Sequence, residues 1–219
     1  MDWKFIYECI PLYAEAAQIT VQIAATGIAG AIVIGLICSL IKELQVPILR
    51  YLVQGYIELS RNTPLLIQLF FLYFGLPKIG ILLSSRTCAV IGLVFLGGSY
   101  MAEAFRSGID NVSTGQREAA YSLGMRRGQT FVHIVLPQAV VTGMPAFCAN
   151  VIFLMKETSV FSAVALADLM YVAKDLIGIY YKTDEALLLL VVSYLIILLP
   201  ISLIGSWLER RMRYAEFGN

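Results

Sequence analysis

Glu118-Ala-Ala-Tyr-Ser-Leu-Gly124, followed after nine residues by Ile134-Val-Leu-Pro137, is a polar stretch between two apolar runs, one ending near Phe105 and the other starting near Ala139. An insertion of that length carries a function or is disordered. Its apolar residues favour order: Ala119, Ala120, Tyr121, Leu123, Met125, Phe131, Val132, Ile134 and Val135 recur at intervals that suit helices. The loop, about residues 107–137, is therefore read as a folded element that meets a partner.

Outside the loop the chain is membrane-grade. Hydrophobic residues make up 59% of the 219 and charged ones 14%, and the mean hydropathy is +0.78. No ordinary water-soluble domain has that balance, so the expected class is an all-α integral membrane protein forming one domain over 1–219. Apolar runs of about 20 residues, enough to cross a hydrocarbon core of about 30 Å, place the spans. The first covers about Gln18 to Ile41. The second covers Pro64 to Leu76, extended back through Tyr51 to Leu59, and the third Cys88 to Phe105. The fourth covers Ala139 to Met155 and the fifth Ala186 to Leu208, giving five transmembrane helices. Val160 to Met170 is too short to cross and is read as a short helix at, or dipping into, one face.

Orientation follows from the basic residues. Lys42 and Arg50, then Arg106, Arg117, Arg126 and Arg127, then the tail residues Arg210, Arg211 and Arg213 fall on one side of alternating spans. Basic short loops mark the cytoplasm, so the N-terminus is expected outside, with the C-terminus and the polar loop cytoplasmic. The start, Met1-Asp-Trp-Lys-Phe-Ile-Tyr-Glu8, has no basic run leading into an apolar core and no small-residue cleavage site, so the first span is expected to stay. A net charge of +1 gives no concentrated basic face, and no nucleic-acid partner is expected.

Four cysteines, Cys9, Cys38, Cys88 and Cys148, lie far apart and read as small apolar fillers. Gly27, Ala31 and Gly35 form a small-residue stripe in the first span, a packing face for a close helix. There is no phosphate-binding G-x-x-x-x-G-K-[ST] loop, no G-x-S-x-G elbow and no His or Cys cluster with metal spacing. The only histidine, His133, is in the loop. No catalytic residue, metal or cofactor is expected on this chain, and energy from ATP would enter through another polypeptide.

Three groups of polar residues interrupt the apolar sequence. In Arg61-Asn-Thr-Pro64 the proline lacks an N–H and disfavours helix at Thr63, so a helix entering through Tyr56 to Ser60 breaks or bends there. Irregular backbone at membrane depth is tolerated only inside protein or against a water-filled cavity. That turns Asn62, Thr63 and Gln68 inward, while Arg61 could equally be an interfacial anchor. Glu103, in Ser99-Tyr-Met-Ala-Glu-Ala-Phe-Arg106, either pairs with Arg106 one turn on or faces the same interior. Lys156-Glu-Thr-Ser159 stands between apolar stretches on both sides. Its two charges either neutralise one another or hold a zwitterion, the cation facing its carboxylate, the anion its ammonium, and the Thr158 and Ser159 hydroxyls orienting it.

Glu118-Ala-Ala, Gly124, Ile134 and Leu136-Pro137 at these spacings resemble the EAA signature of the membrane subunits of bacterial ABC importers. Glu58 to Gly75, Ser99 to Arg106 and Lys156 to Ser159 resemble the polar amino acid branch of those permeases, so the similarity spans nearly the whole chain. The resemblance implies a type I importer permease with a five-helix core in the bacterial cytoplasmic membrane. It implies a second permease copy or a similar permease, two cytoplasmic ATPase subunits that bind the ATP and magnesium, and an external solute-binding protein. Carried over, Glu118, Ala119, Ala120, Gly124, Ile134, Leu136 and Pro137 would couple to the ATPase. Physical chemistry agrees: Glu118 favours a helix start, Ala119 and Ala120 keep one face low, Gly124 turns without a Cβ penalty, and Pro137 suits a first helical turn. The amino acid would be bounded by Arg61, Thr63, Gln68, Glu103, Lys156, Glu157, Thr158 and Ser159. An ion-gradient carrier would need more spans or an internal repeat, and a scaffold would not need polar residues within the bilayer.

Overall fold

The computed structural model describes residues 1–217, with side chains through residue 212, and the described residues are helical with no strand. The helices are α1 Trp3–Glu43, α2 Leu49–Arg61, α3 Leu65–Phe70, α4 Ser85–Asp110, α5 Thr114–Ser122, α6 Arg127–Thr130, α7 Leu136–Glu157, α8 Leu169–Tyr180 and α9 Thr183–Phe217. Among the described residues four stretches are long and apolar enough to cross a membrane: Trp3–Glu43, Ser85–Asp110, Arg127–Val164 and Thr183–Met212.

The helix that carries the first span begins at Trp3, well before the apolar run that starts near Gln18. Asp2 accepts the Phe5 N–H (3.1 Å) and caps α1, and Glu8 and Glu15 dilute the hydropathy without interrupting the helix. At about 1.5 Å per residue, the 41 residues of α1 reach about 60 Å, twice a hydrocarbon core.

The small-residue stripe packs against α4. A Cβ on Gly27 would strike Leu93, one on Gly35 would lie 2.5 Å from Met101 Cβ and 2.8 Å from the Ala102 nitrogen, and Ala31 fits against Gly97. The main core gathers Ile23, Ala24 and Ala31 of α1, Leu65 and Leu69 of α3, Leu93 and Met101 of α4, and Leu154 of α7. A second core joins Ile6, Tyr13 and Ala16 of α1 to Leu169 and Ala173 of α8 and Ala186 of α9. Val191, Leu195, Ile196, Leu199 and Leu203 leave α9 exposed along its length, the surface a lipid-facing helix presents.

The expected second span is discontinuous: α2, a break at 62–64, α3, a wide turn Phe71–Gly75 and a tight turn Leu76–Ile79. The short helix expected over 160–170 is present as a tight turn of 3-10 helix, Thr158–Val164. Its Phe161 and Val164 are fully buried, so it dips into the packing. It is followed by α8, which the apolar count did not separate. Asp168 caps α8 through Oδ1, which accepts the Tyr171 N–H at 2.9 Å.

Candidate functional site

The polar loop folds as α5, a turn, α6 and a wide turn at Phe131–Val135 leading into α7. Glycine ends α5: Gly124 has φ +80, and its N–H bonds the Tyr121 carbonyl at 2.9 Å, the left-handed C-terminal geometry that glycine alone adopts without strain. Ala120 is buried, as are Ile109, Val112, Val135 and Ala139, which form a small core beneath the loop. Arg117 ties this unit to its neighbours, reaching Glu43 Oε1 at 3.2 Å and the Ile109 carbonyl at 3.1 Å. Glu118, Ala119, Gly124, Leu136 and Pro137 are exposed and Ile134 is half-buried. Tyr121 and Leu123 project beside them, Leu123 being 83% exposed.

Pro64 breaks the second element, and nearby side chains satisfy the backbone it frees. The Ser60 carbonyl, which a helix would pair with the missing N–H at position 64, accepts Gln68 Nε2 at 3.2 Å. The same amide donates to the Thr63 carbonyl at 3.0 Å, and Thr63 Oγ1 donates to Leu59 O at 2.8 Å. Gln68 Oε1 is sealed from solvent without a protein partner. Ser60 also accepts the Ser99 hydroxyl at 3.0 Å and donates to the Phe95 carbonyl at 2.9 Å, fixing the break against α4.

One turn below, Glu103 collects cations from three helices: Lys42 at 3.5 Å, Arg61 at 3.7 Å and Arg106 at 3.6 Å. Its neighbour Arg106 is thus one of three partners and also bonds Asp110 at 3.2 Å. Arg61 lies over the Tyr100 ring (5.2 Å), whose centroid is 4.9 Å from that of Phe153. Asn150 Nδ2 donates to the Tyr100 carbonyl at 3.0 Å.

Lys156 and Glu157 follow Phe153 at the end of α7. Adjacent helical residues do not face one another, and among the described residues no ion pair joins them. Lys156 is exposed, while Glu157 and Ser159 are half-buried. Thr158 points inward, fully buried, its Oγ1 donating to Met155 O at 2.8 Å.

The structure therefore brings Arg61 and Glu103 together, and Thr63 and Gln68 together. The Tyr100–Phe153 contact links them towards Lys156, Glu157 and Ser159. Sequence reasoning did not select Lys42, Tyr100, Asn150 or Phe153. Tyr100 lies inside a quoted motif, but partners drawn from distant helices leave no local spacing to read. Among the described residues no group of three or more His, Cys, Asp or Glu could hold a metal.

Removing the anion from this half-exposed cluster leaves three cations facing each other. Glu103→Gln is expected to lower stability by about 1 kcal/mol, an effect that shrinks as salt rises because exposed charge is screened. Thermal unfolding of the detergent-solubilised complex at low and high salt measures it, and equal melting temperatures at both salts would contradict it.

Comparisons with known proteins follow the same lines. The family described as "Binding-protein-dependent transport system inner membrane component" matches residues 31–214. The glutamine transport system permease protein GlnP of Escherichia coli (strain K12) is 33% identical over 214 residues, 97% of this chain and 98% of that protein. The probable amino-acid permease protein YxeN of Bacillus subtilis (strain 168) is 34% identical over 215 residues, covering 97% and 96%. A solved structure described as an amino acid ABC transporter with histidines superposes with a TM-score of 0.91 at 30% identity, covering 96% of this chain and 99% of that one. An inward-facing MetNI methionine transporter shares the fold at 20% identity and a TM-score of 0.77, covering 94% and 98%.

Proposed function

The chain belongs to the family of binding-protein-dependent transport system inner membrane components, and from that premise we propose how it carries an amino acid and takes up work from ATP. It is the multi-pass cytoplasmic-membrane permease of an ATP-driven amino-acid uptake system, with the type I ABC importer fold. It works with ATPase and binding-protein partners. In the proposed assembly it is one transmembrane domain, paired with a second copy or a similar permease. Two ATPases hold the ATP and magnesium beneath it and a solute-binding protein sits outside. Leu49–Ile79 crosses as the fifth, broken element, placing the N-terminus outside and the C-terminus in the cytoplasm, as the basic residues of the loop and tail support.

The amino acid lies between the break at Pro64 and the end of α7, bounded by Arg61, Thr63, Gln68, Glu103, Lys156, Glu157 and Ser159, with Thr158 supporting from behind. One observation carries the assignment of charges: Glu103 already faces three cations, whereas no ion pair engages Lys156 or Glu157 among the described residues. Lys156 then takes the substrate carboxylate and Glu157 its ammonium, ahead of Glu103. ATP-driven closure of the ATPases moves the loop and rocks the helices about this cavity. Uptake of labelled glutamine, arginine, histidine, glutamate and cystine into proteoliposomes carrying the complete complex tests the reading. Accumulation by this chain without any ATPase would overturn it in favour of a gradient-driven carrier.

The coupling role of Glu118, Ala119, Ala120, Gly124, Ile134, Leu136 and Pro137 makes its own prediction. A Cβ at Gly124 meets nothing within 4 Å of its own chain, so alanine there carries only the left-handed backbone strain of about 1 kcal/mol. Gly124→Asp is expected to insert normally yet lose most co-purifying ATPase, or uncouple hydrolysis from uptake, well beyond Gly124→Ala. The difference between the two reports contact with the partner, and full activity of the aspartate variant would count against the assignment.

A further inference from the structure

Val90 and Ile91 of α4 line two cavities that meet at them. The first, about 450 Å³, is bounded by Gln22 and Thr26 of α1 and by Arg86 and Thr87 in the first turn of α4. The second, about 530 Å³, continues past Val94 and Phe95 and is bordered by Ile34 of α1 and Leu52 of α2. They form one furrow, polar at its mouth and apolar along its run.

The mouth presents donors. Arg86 is exposed, and among the described residues no ion pair or side-chain hydrogen bond engages it. Thr26 has spent its hydrogen on the Gln22 and Ile23 carbonyls, both at 2.9 Å, which leaves the Arg86 guanidinium and the Gln22 amide as the free donors. The positive end of the α4 dipole falls at the same place. Further in, the chemistry reverses. Tyr56, which also lines the second cavity, donates its hydroxyl to the Phe95 carbonyl at 2.7 Å, and the other side chains there are hydrocarbon apart from the Cys38 thiol.

Depth and width select the occupant. α4 is long and apolar enough to cross a membrane, and the climb from Arg86 to Val94 is about 12 Å, close to the hydrocarbon depth of one leaflet, about 15 Å. Beside Val94 the helices α1 and α4 are already in contact, since a Cβ on Gly30 would lie 2.6 Å from Val94 Cγ2. Such a furrow takes an alkyl chain, whereas a helix about 10 Å across has no room.

We propose that the furrow binds one anionic phospholipid, its phosphate on Arg86 and Gln22 and one acyl chain along Val90, Ile91, Val94 and Phe95. Arginine offers several N–H donors to phosphate oxygens, and the apolar run gains by covering a chain in place of water. No carboxylate lines the mouth to receive an ammonium headgroup, so a glycerol headgroup suits it better than choline. A free phosphate would fill the mouth and leave the run empty. None of the residues assigned to the amino acid lines either cavity. A chain lying there touches α1, α2 and α4 at once and so steadies their packing.

The test uses the complete complex with its ATPases, purified in detergent and supplied with phosphatidylglycerol, with phosphatidylcholine of the same chains, or with glycerol phosphate, which has the head and no chain. Native mass spectrometry counts the bound molecules, and thermal unfolding follows stability. Phosphatidylglycerol is expected to remain bound, one to each permease, and to raise the melting temperature. Arg86→Gln is expected to weaken that binding about fivefold, to the level of phosphatidylcholine, and Arg86→Lys to keep most of it. Ile91→Trp, which fills the run from a position 40% exposed, is expected to lose both lipids. Without added lipid the variants should melt with the wild type, which separates lost binding from lost folding. Undiminished phosphatidylglycerol in either Arg86→Gln or Ile91→Trp overturns the proposal. Glycerol phosphate bound as tightly as phosphatidylglycerol would make this a free phosphate site instead. A lipid-free wild type, with Ile91→Cys joining two copies by a disulfide once the native cysteines are replaced, would mean that the second permease covers the furrow.

Discussion

Lys156→Ala complex inserts, assembles and hydrolyses ATP but takes up amino acid about 10- to 100-fold more slowly at limiting substrate. That range corresponds to one charge-assisted hydrogen bond of about 1.5–3 kcal/mol to the substrate carboxylate. The variant is a clean probe because Lys156 is exposed at the end of α7 and no ion pair engages it among the described residues. Truncation removes no packing, and alanine suits the helix. Uptake and binding-protein-stimulated ATPase activity, measured on the same reconstituted preparation, separate loss of substrate contact from loss of assembly. Unchanged transport kinetics would remove Lys156 from the site.

Gly108→Val abolishes assembly altogether. A Cβ at 108 would meet the Ala139 carbonyl oxygen, and at 3.1 and 3.2 Å the Cα and nitrogen of Gly143. Thr142 Oγ1 also donates to the Gly108 carbonyl at 3.0 Å. These are backbone atoms of α7, which no rotamer change can move, so α4 and α7 must separate at the ends that flank the polar loop. The expected cost is about 3 kcal/mol or more, a large share of what holds a domain of this size folded. Little monodisperse protein should survive size-exclusion chromatography. The contrast is Gly55, where a Cβ meets nothing within 4 Å and Gly55→Ala should be neutral or stabilising by about 0.5–1 kcal/mol. A wild-type yield for Gly108→Val would mean that the two helices do not approach as described.

Hydropathy located α4, α7 and the start of α9 within a few residues, because a bilayer demands long apolar runs and such runs are easily counted, whereas α9 runs on to Phe217 beyond its apolar run. It placed the start of α1 about fifteen residues late, since Glu8, Pro11 and Glu15 interrupt apolar composition while leaving the helix whole. The break at Pro64 was legible because proline acts on its own neighbours. The repair of that break was not: Gln68 had read as an inward polar group, whereas its amide donors are committed to the Ser60 and Thr63 carbonyls. Glu103 was visible as a carboxylate at depth, and its neighbour Arg106 could be named from spacing. Lys42 and Arg61 reach it across more than forty residues of chain, a proximity that only the crossing of α1, α2 and α4 creates. Nothing in the local sequence of Asp168 announces that it is enclosed.

The uninterrupted run of α1 ties two packing surfaces to one rotational phase. Ile6, Tyr13 and Ala16 lock onto α8 and α9, and Gly27, Ala31 and Gly35 lock onto α4. A single residue gained or lost between Ala16 and Gly27 would twist one surface away from its mate by about 100°. This rod therefore tolerates drift in side chains far better than drift in length, and any change in its span has to arrive as whole turns.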